Sequence, residues 1–82
     1  MYRVLLESRA ERDLGLLERS MHNRIIERLL KLRVNPRDSA LKLIGSKNAW
    51  RIRIGDWRVL YEIDDGIKEV KIYRIKHRSR AY

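Results

Sequence analysis

The sequence predicts an α+β domain of order βααβββ: a mostly antiparallel four-stranded sheet with a helix hairpin packed on one face. Three observations carry that expectation. In residues 48–64, NAWRIRIGDWRVLYEID, apolar side chains fall on every second position, the period of a half-buried strand. Met21, Ile25, Leu29 and Leu32 instead recur at spacings of four, four and three, the period of a helix. The chain of 82 residues is long enough for one domain, 1–82, and no more.

The elements follow in order. YRVLLE (residues 2–7) reads as a short strand with Tyr2, Val4 and Leu6 on one face. Ser8 precedes Glu11 by three residues, the capping-box spacing, so a first helix is expected from there to about Glu18, with Ala10, Leu14 and Leu17 on its apolar stripe. Ser20 is placed to cap a second helix, in which Ile26 and Leu30 join the apolar stripe and Arg24, Arg28 and Lys31 take the other side. Asn35-Pro36 ends it, because the residue before proline is pushed out of the helical region. PRDSALKLIGSKN (residues 36–48) is then an irregular connection, expected to tuck Leu41, Leu43 and Ile44 onto the core. Strands 49–54 and 57–63 meet across Gly55-Asp56, a loop that suits a type II′ turn. Asp64-Asp65-Gly66 makes a second turn into a last strand over 68–76.

Composition excludes several classes of function. There is no cysteine, which removes disulfide scaffolds, thiolate zinc sites and cysteine nucleophiles. His22 and His77 lie far apart with no ligand pattern around either, so neither a metal nor a cofactor is expected. No apolar run approaches the roughly 20 residues of a spanning helix, and MYRVLLESRAERD lacks a signal peptide's apolar centre. A cytoplasmic location without membrane contact is the expectation. Twenty Lys and Arg against eleven Asp and Glu give a formal charge of +9, and the excess is uneven: net +3 over residues 1–36 and net +6 over 37–82. Such a field draws nucleic acid, an anionic membrane or an acidic protein, and by itself does not choose between them.

Strand parity says where the charge goes. Trp50, Ile52 and Ile54 share one face with Trp57, Val59, Tyr61 and Ile63, which assigns both tryptophans to the core side. Arg51, Arg53 and Arg58 share the other face, with Leu60 and Glu62. Like charges on adjacent strands repel, while the guanidinium fork suits phosphate oxygens. In the last strand Val70 and Ile72 have one parity and Tyr73 and Ile75 the other, a conflict that a bulge near Tyr73 resolves. RIKHRSRAY (residues 74–82) then brings His77, Arg78, Arg80 and Tyr82 to the sheet rim, where composition alone leaves two readings even: a disordered, nonspecific basic tail, or a histidine and a tyrosine among arginines suited to acid–base or stacking work.

The start YRVLLESRAERDL, the run NPR followed by KLIGSKNAWRIRIGDWRVLYEIDD, and the ending HRSRAY together resemble the RelE/ParE superfamily. These are toxins of bacterial and archaeal type II toxin–antitoxin pairs. The resemblance covers nearly the whole chain and favours the RelE-like branch and fold. It implies a ribosome-dependent endoribonuclease that cleaves mRNA in the ribosomal A site without a metal and is silenced by an acidic, RelB-like antitoxin. By resemblance the catalytic set is Arg51, Arg53, Arg58, His77, Arg78 and Tyr82; the residues expected to contact RNA are Arg51, Arg53, Arg58, Arg74, Lys76 and Arg80. Arg51 and Arg53 stand where that branch often carries lysines. A guanidinium scarcely loses its proton, so His77, Tyr82 and Glu62 remain as candidate bases beside catalysis by orientation and charge alone. The antitoxin has two open surfaces, the outer side of the helix hairpin (Arg12, Arg19, Arg24, Arg28) and the sheet edges. Two other readings stay open: a ParE-like inhibitor of DNA gyrase without nuclease activity, and a family member that binds RNA but cleaves it weakly.

Overall fold

The structure is a computed structural model that describes residues 1–80, Arg80 by its backbone only; Ala81 and Tyr82 lie outside the described residues. Strand β1 (Arg3–Leu6) leads into helices α1 (Ser8–Gly15) and α2 (Arg19–Leu32). Strands β2 (Leu41–Lys42), β3 (Ala49–Ile54), β4 (Trp57–Asp64) and β5 (Glu69–His77) follow, then a 3₁₀ turn over Arg78–Arg80. The sheet order is β1-β5-β4-β3-β2. β1 runs parallel to β5, and every other pair is antiparallel.

The α+β class and the helix hairpin are as expected, and the sheet gains a fifth strand. β2 comes from the connection after α2 and pairs only Leu41 with Arg51 and Lys42 with Trp50. Two residues leave no periodicity to read, which is why the sequence hides it. The connection is also not held by its apolar side chains. Leu41 is 60% exposed and Ile44 fully so, and only Leu43 is half-buried. Its anchors are polar instead: the buried Tyr61 hydroxyl donates to the Pro36 carbonyl at 2.7 Å, and the Leu43 amide donates to Ala49 O at 2.9 Å. Burial pushes the Tyr61 phenol up to about 12, so it stays a neutral donor.

Both helix starts differ from expectation. Glu7 and Glu18 occupy the N-cap positions without side-chain capping bonds, and Ser8 and Ser20 lie inside their helices. The Ser20 hydroxyl donates to the Glu18 carboxylate rather than to the backbone. Helix α1 stops at Gly15, earlier than expected, and tightens its end with bonds from Leu16 N to Asp13 O and from Leu17 N to Leu14 O. Glycine's weak helix propensity makes it the natural place to break.

The strands are as the parity requires. Gly55 has φ +59° and Asp56 has no positive φ, the signature of a type II′ turn. Asp64 accepts from the Gly66 and Ile67 amides at 2.9 and 3.2 Å, folding the second turn. Across β4 and β5, Leu60 faces Arg74 and Tyr61 faces Ile72, so Tyr73 is the extra residue of the expected bulge. The bulge restores parity and lets Val70, Ile72 and Ile75 all reach the core. They pack there with Ala10, Leu14, Ile25, Leu29 and Leu32 of the helices and with Ile52, Ile54, Val59, Tyr61 and Ile63. Trp50 and Trp57 are half-buried against this cluster.

Beyond Leu6, which pairs with Ile72, β1 no longer covers β5. Asp13 of α1 takes over that edge. It accepts from the Ile75 amide at 2.9 Å and from Arg74 Nε and Nη2 at 2.8 and 3.3 Å. Burial opposes its charge, yet the Arg74 hydrogen bonds, the Ile75 amide and the Arg74 and Arg9 charges together hold its carboxyl below the ordinary value. At the opposite end, Asp65 binds Arg37 through both oxygens, at 3.2 and 2.7 Å, and accepts from the Tyr2 hydroxyl. Those hydrogen bonds lower it to about 2.

Both carboxylates are depressed on folding, so each stabilises the fold above its unfolded value near pH 4 and loses that contribution as pH falls through its folded value, which for Asp65 is about 2. A denaturation series should therefore show its steepest loss of stability below about pH 4. An Asp65→Asn variant should be less stable at neutral pH and show a shallower acid decline. Tyr61→Phe leaves the buried Pro36 carbonyl unpaired and should cost about 1–2 kcal/mol in urea unfolding at constant m-value.

Candidate functional site

The helices cover one face of the sheet, and the other face is open. On it, register places Arg53 opposite Arg58 and Arg58 opposite Lys76, a row of three cations across β3, β4 and β5. Directly opposed residues have Cβ atoms roughly 4.5–5.5 Å apart, close enough for all three to grip one anion. The next row is Arg51, Leu60 and Arg74. Arg53 is exposed, and Arg51, Arg58 and Lys76 are half-buried.

Arg58 is the most unusual member. Its Nε and Nη1 are buried away from water and have no hydrogen-bond partner among the described residues. A guanidinium in that condition is costly to the fold. Its cross-strand neighbours on both sides are cations, so nothing within the row offsets the cost. Arg53 makes one long contact, from Nε to Gly55 O at 3.5 Å.

Acids stand at the other end of the open face. Glu62 pairs with Ala49 and Lys71, and Asp64 pairs with Glu69, which bridges Arg3 at 2.8 Å. Four residues along β4 separate Glu62 from Arg58, roughly 13 Å, so Glu62 does not join the row. The sheet thus segregates its charges along the strands.

Several expected site residues take other positions. Arg74 is drawn sideways into the pair with Asp13. Arg78 sits at the rim, where its amide donates to Asp56 O at 2.7 Å and its exposed guanidinium lies 3.7 Å from the Asp56 carboxylate. That backbone bond ties the 3₁₀ turn to the β3–β4 hairpin and holds Arg78 beside the row. His77 does not join it. It pairs with Trp57 across the strands and therefore shares the helix-covered face. Its ring packs edge-on to Trp57 at 5.2 Å, and its Nδ1 engages the Ser79 hydroxyl at 2.8 Å. The Arg80 side chain and Tyr82 lie outside the described residues.

Two residues matter here that the sequence did not single out. Asp13 withdraws Arg74 from the open face across a separation of 61 residues, which no local pattern reports. Asp56 anchors Arg78; its place in the hairpin turn was legible, but its partner was not. Among the described residues, no three His, Cys, Asp or Glu side chains stand together as a metal site would require. No helix is long and apolar enough to cross a membrane. What the row offers chemically is fixed positive charge and directed N–H donors, the means to bind a phosphodiester and stabilise the extra negative charge of a pentacoordinate phosphorus.

Comparison with known proteins agrees with this architecture. The family described as the ParE toxin of the type II toxin–antitoxin system parDE matches residues 4–82. No curated protein sequence matches the chain. Among solved structures, the toxin–antitoxin complex RelBE2 from Mycobacterium tuberculosis is similar at 30% identity and a TM-score of 0.85, covering 94% of this chain and 98% of the other. The archaeal RelE–RelB complex from Pyrococcus horikoshii is similar at 29% identity and a TM-score of 0.80, covering 98% of each chain. The isolated RelE toxin of E. coli shares the fold at 20% identity and a TM-score of 0.87, covering 99% of this chain and 88% of its own. With a family match over nearly its whole length and the fold of RelE toxins, the chain belongs to the RelE/ParE superfamily of type II toxin–antitoxin toxins and is RelE-like in structure.

Proposed function

We propose that this toxin is an endoribonuclease that cuts mRNA in the ribosomal A site and is held silent by an acidic, RelB-like antitoxin. The observation that carries the reading is the row Arg53–Arg58–Lys76, flanked by Arg78, with two buried Arg58 nitrogens left without a partner among the described residues. A phosphodiester at the row supplies acceptors to a cluster that otherwise repels itself.

In this reading the ribose 2′-oxygen attacks the adjacent phosphorus and the 5′-oxygen leaves, giving a 2′,3′-cyclic phosphate and a 5′-hydroxyl. Arg53, Arg58 and Arg78 contact the phosphoryl oxygens and stabilise the charge that grows on them. Arg51 lies in the second row and guides the flanking backbone, Arg74 being drawn away to Asp13, and the ribosome orients the message for in-line attack. The reaction as drawn needs no metal or cofactor. His77 faces the covered side, which weakens its case as the base. An antitoxin partner is supported by the relatives, two of which were solved as toxin–antitoxin complexes. A chain carrying net charge +9 suits an acidic wrapping segment.

Primer extension on message from a purified translation reaction tests the reading. Cuts are expected only on ribosome-bound mRNA and should disappear with Arg78→Ala. Arg58→Met should abolish cutting and at the same time raise unfolding stability by about 1 kcal/mol, because it removes a desolvated charge between two cations. Loss of cutting together with loss of stability would instead mean that Arg58 serves the fold.

One observation favours a second reading. The matching family is described by its ParE toxin, and the notable alternative for that branch is poisoning of DNA gyrase. Inhibited supercoiling by the purified protein, with no cuts on translating ribosomes, would establish it.

A further inference from the structure

We infer that Lys76 is the proton donor of this site, delivering a proton to the leaving 5′-oxygen. The inference rests on the ribonuclease reading above and adds to it the group that moves the proton.

The groups on the open face differ in whether they can move a proton. Proton transfer in the transition state needs a side chain that can give up a proton and take one back. Arg53, Arg58 and Arg78 are poor at this, since a guanidinium holds its protons at any physiological pH. Glu62 lies roughly 13 Å along its strand from Arg58. His77 is on the other face, paired with Trp57. Tyr73 occupies the bulge, where burial and then the Glu62 charge push its phenol up and make it a weaker donor. Lys76 is different in kind and in place. It is the one lysine of the row, directly opposite Arg58, and half-buried. Arg74 and Arg78 lie two residues to either side of it along the chain. Among the described residues no carboxylate lies within ion-pair distance of it. Its ammonium is therefore uncommitted beside the group that grips the phosphate.

The step balances as follows. Hydroxide from solvent takes the 2′-hydroxyl proton, and the 2′-oxygen forms a bond to phosphorus. The bond from phosphorus to the 5′-oxygen breaks, and the Lys76 ammonium passes a proton to that oxygen. The neutral amine then recovers a proton from water, which regenerates hydroxide.

A substrate with sulfur in place of the bridging 5′-oxygen decides the matter, because a thiolate leaves without needing a proton. Single-turnover cleavage on programmed ribosomes would compare the wild type, Lys76→Arg and Tyr82→Phe on oxygen- and sulfur-bridged message. Lys76→Arg keeps the charge and should fold normally. It is expected to slow the oxygen substrate by about 10²–10⁴-fold and to cut the sulfur substrate at close to the wild-type rate. Equal slowing on both substrates would reduce Lys76 to a phosphate contact and overturn the inference. Sulfur rescue of Tyr82→Phe without rescue of Lys76→Arg would overturn it in favour of the tyrosine. If the wild type cuts neither substrate, the ribonuclease reading itself fails, a result distinct from either of these.

Discussion

The register of β3, β4 and β5 is the constraint from which the rest of this molecule follows. It is set on the covered face, where Ile52 meets Val59 and Val59 meets Ile75, all buried beneath the helices. A slip of one residue would turn that apolar set outward and expose it to water. Each such side chain is worth roughly 1.5–3 kcal/mol of burial, so the core decides the pairing and the open face accepts the consequence. That consequence is Arg53, Arg58 and Lys76 side by side.

A charge cluster imposed in this way has to be managed, and the structure does so by withdrawing some cations rather than by neutralising all of them. Asp13 holds Arg74 at the free edge of β5, and Asp56 fixes the backbone of Arg78 at the rim. Both acids come from outside the row. Asp13 also blunts a strand edge that β1 is too short to cover, the sort of edge that otherwise recruits another chain. The remaining acids of the sheet collect around Glu62, Asp64 and Glu69 at its far end. Among the described residues no carboxylate forms an ion pair with the row. Desolvated, uncompensated groups persist in proteins chiefly where they serve a site.

The division between the two faces also bears on how a partner silences this toxin. A positive open face and a helix hairpin with exposed Arg12, Arg19 and Arg24 present two cationic surfaces on opposite sides of one sheet. Two of the solved relatives carry this fold in complex with an antitoxin.

The sequence by itself determined both α-helices and every strand but β2, the faces of the strands and the positive character of the open face. Period-2 patterning around Trp50 to Ile63 and the four-four-three spacing from Met21 to Leu32 are local signals that burial enforces directly. Even the bulge at Tyr73 was legible, as a conflict of parity within one strand. The family motifs pointed to Arg58 and Arg78 for the same reason: their neighbours in sequence are their neighbours on the strand or at its end. What only the tertiary structure decided involves partners distant in the chain. It moved His77 to the side of Trp57, joined Asp13 to Arg74, hung the connection on Tyr61 instead of on Leu41 and Ile44, and set Lys76 against Arg58. Pairing between strands and the reach of a side chain across an edge carry no trace in local spacing, because they are fixed when the whole core closes.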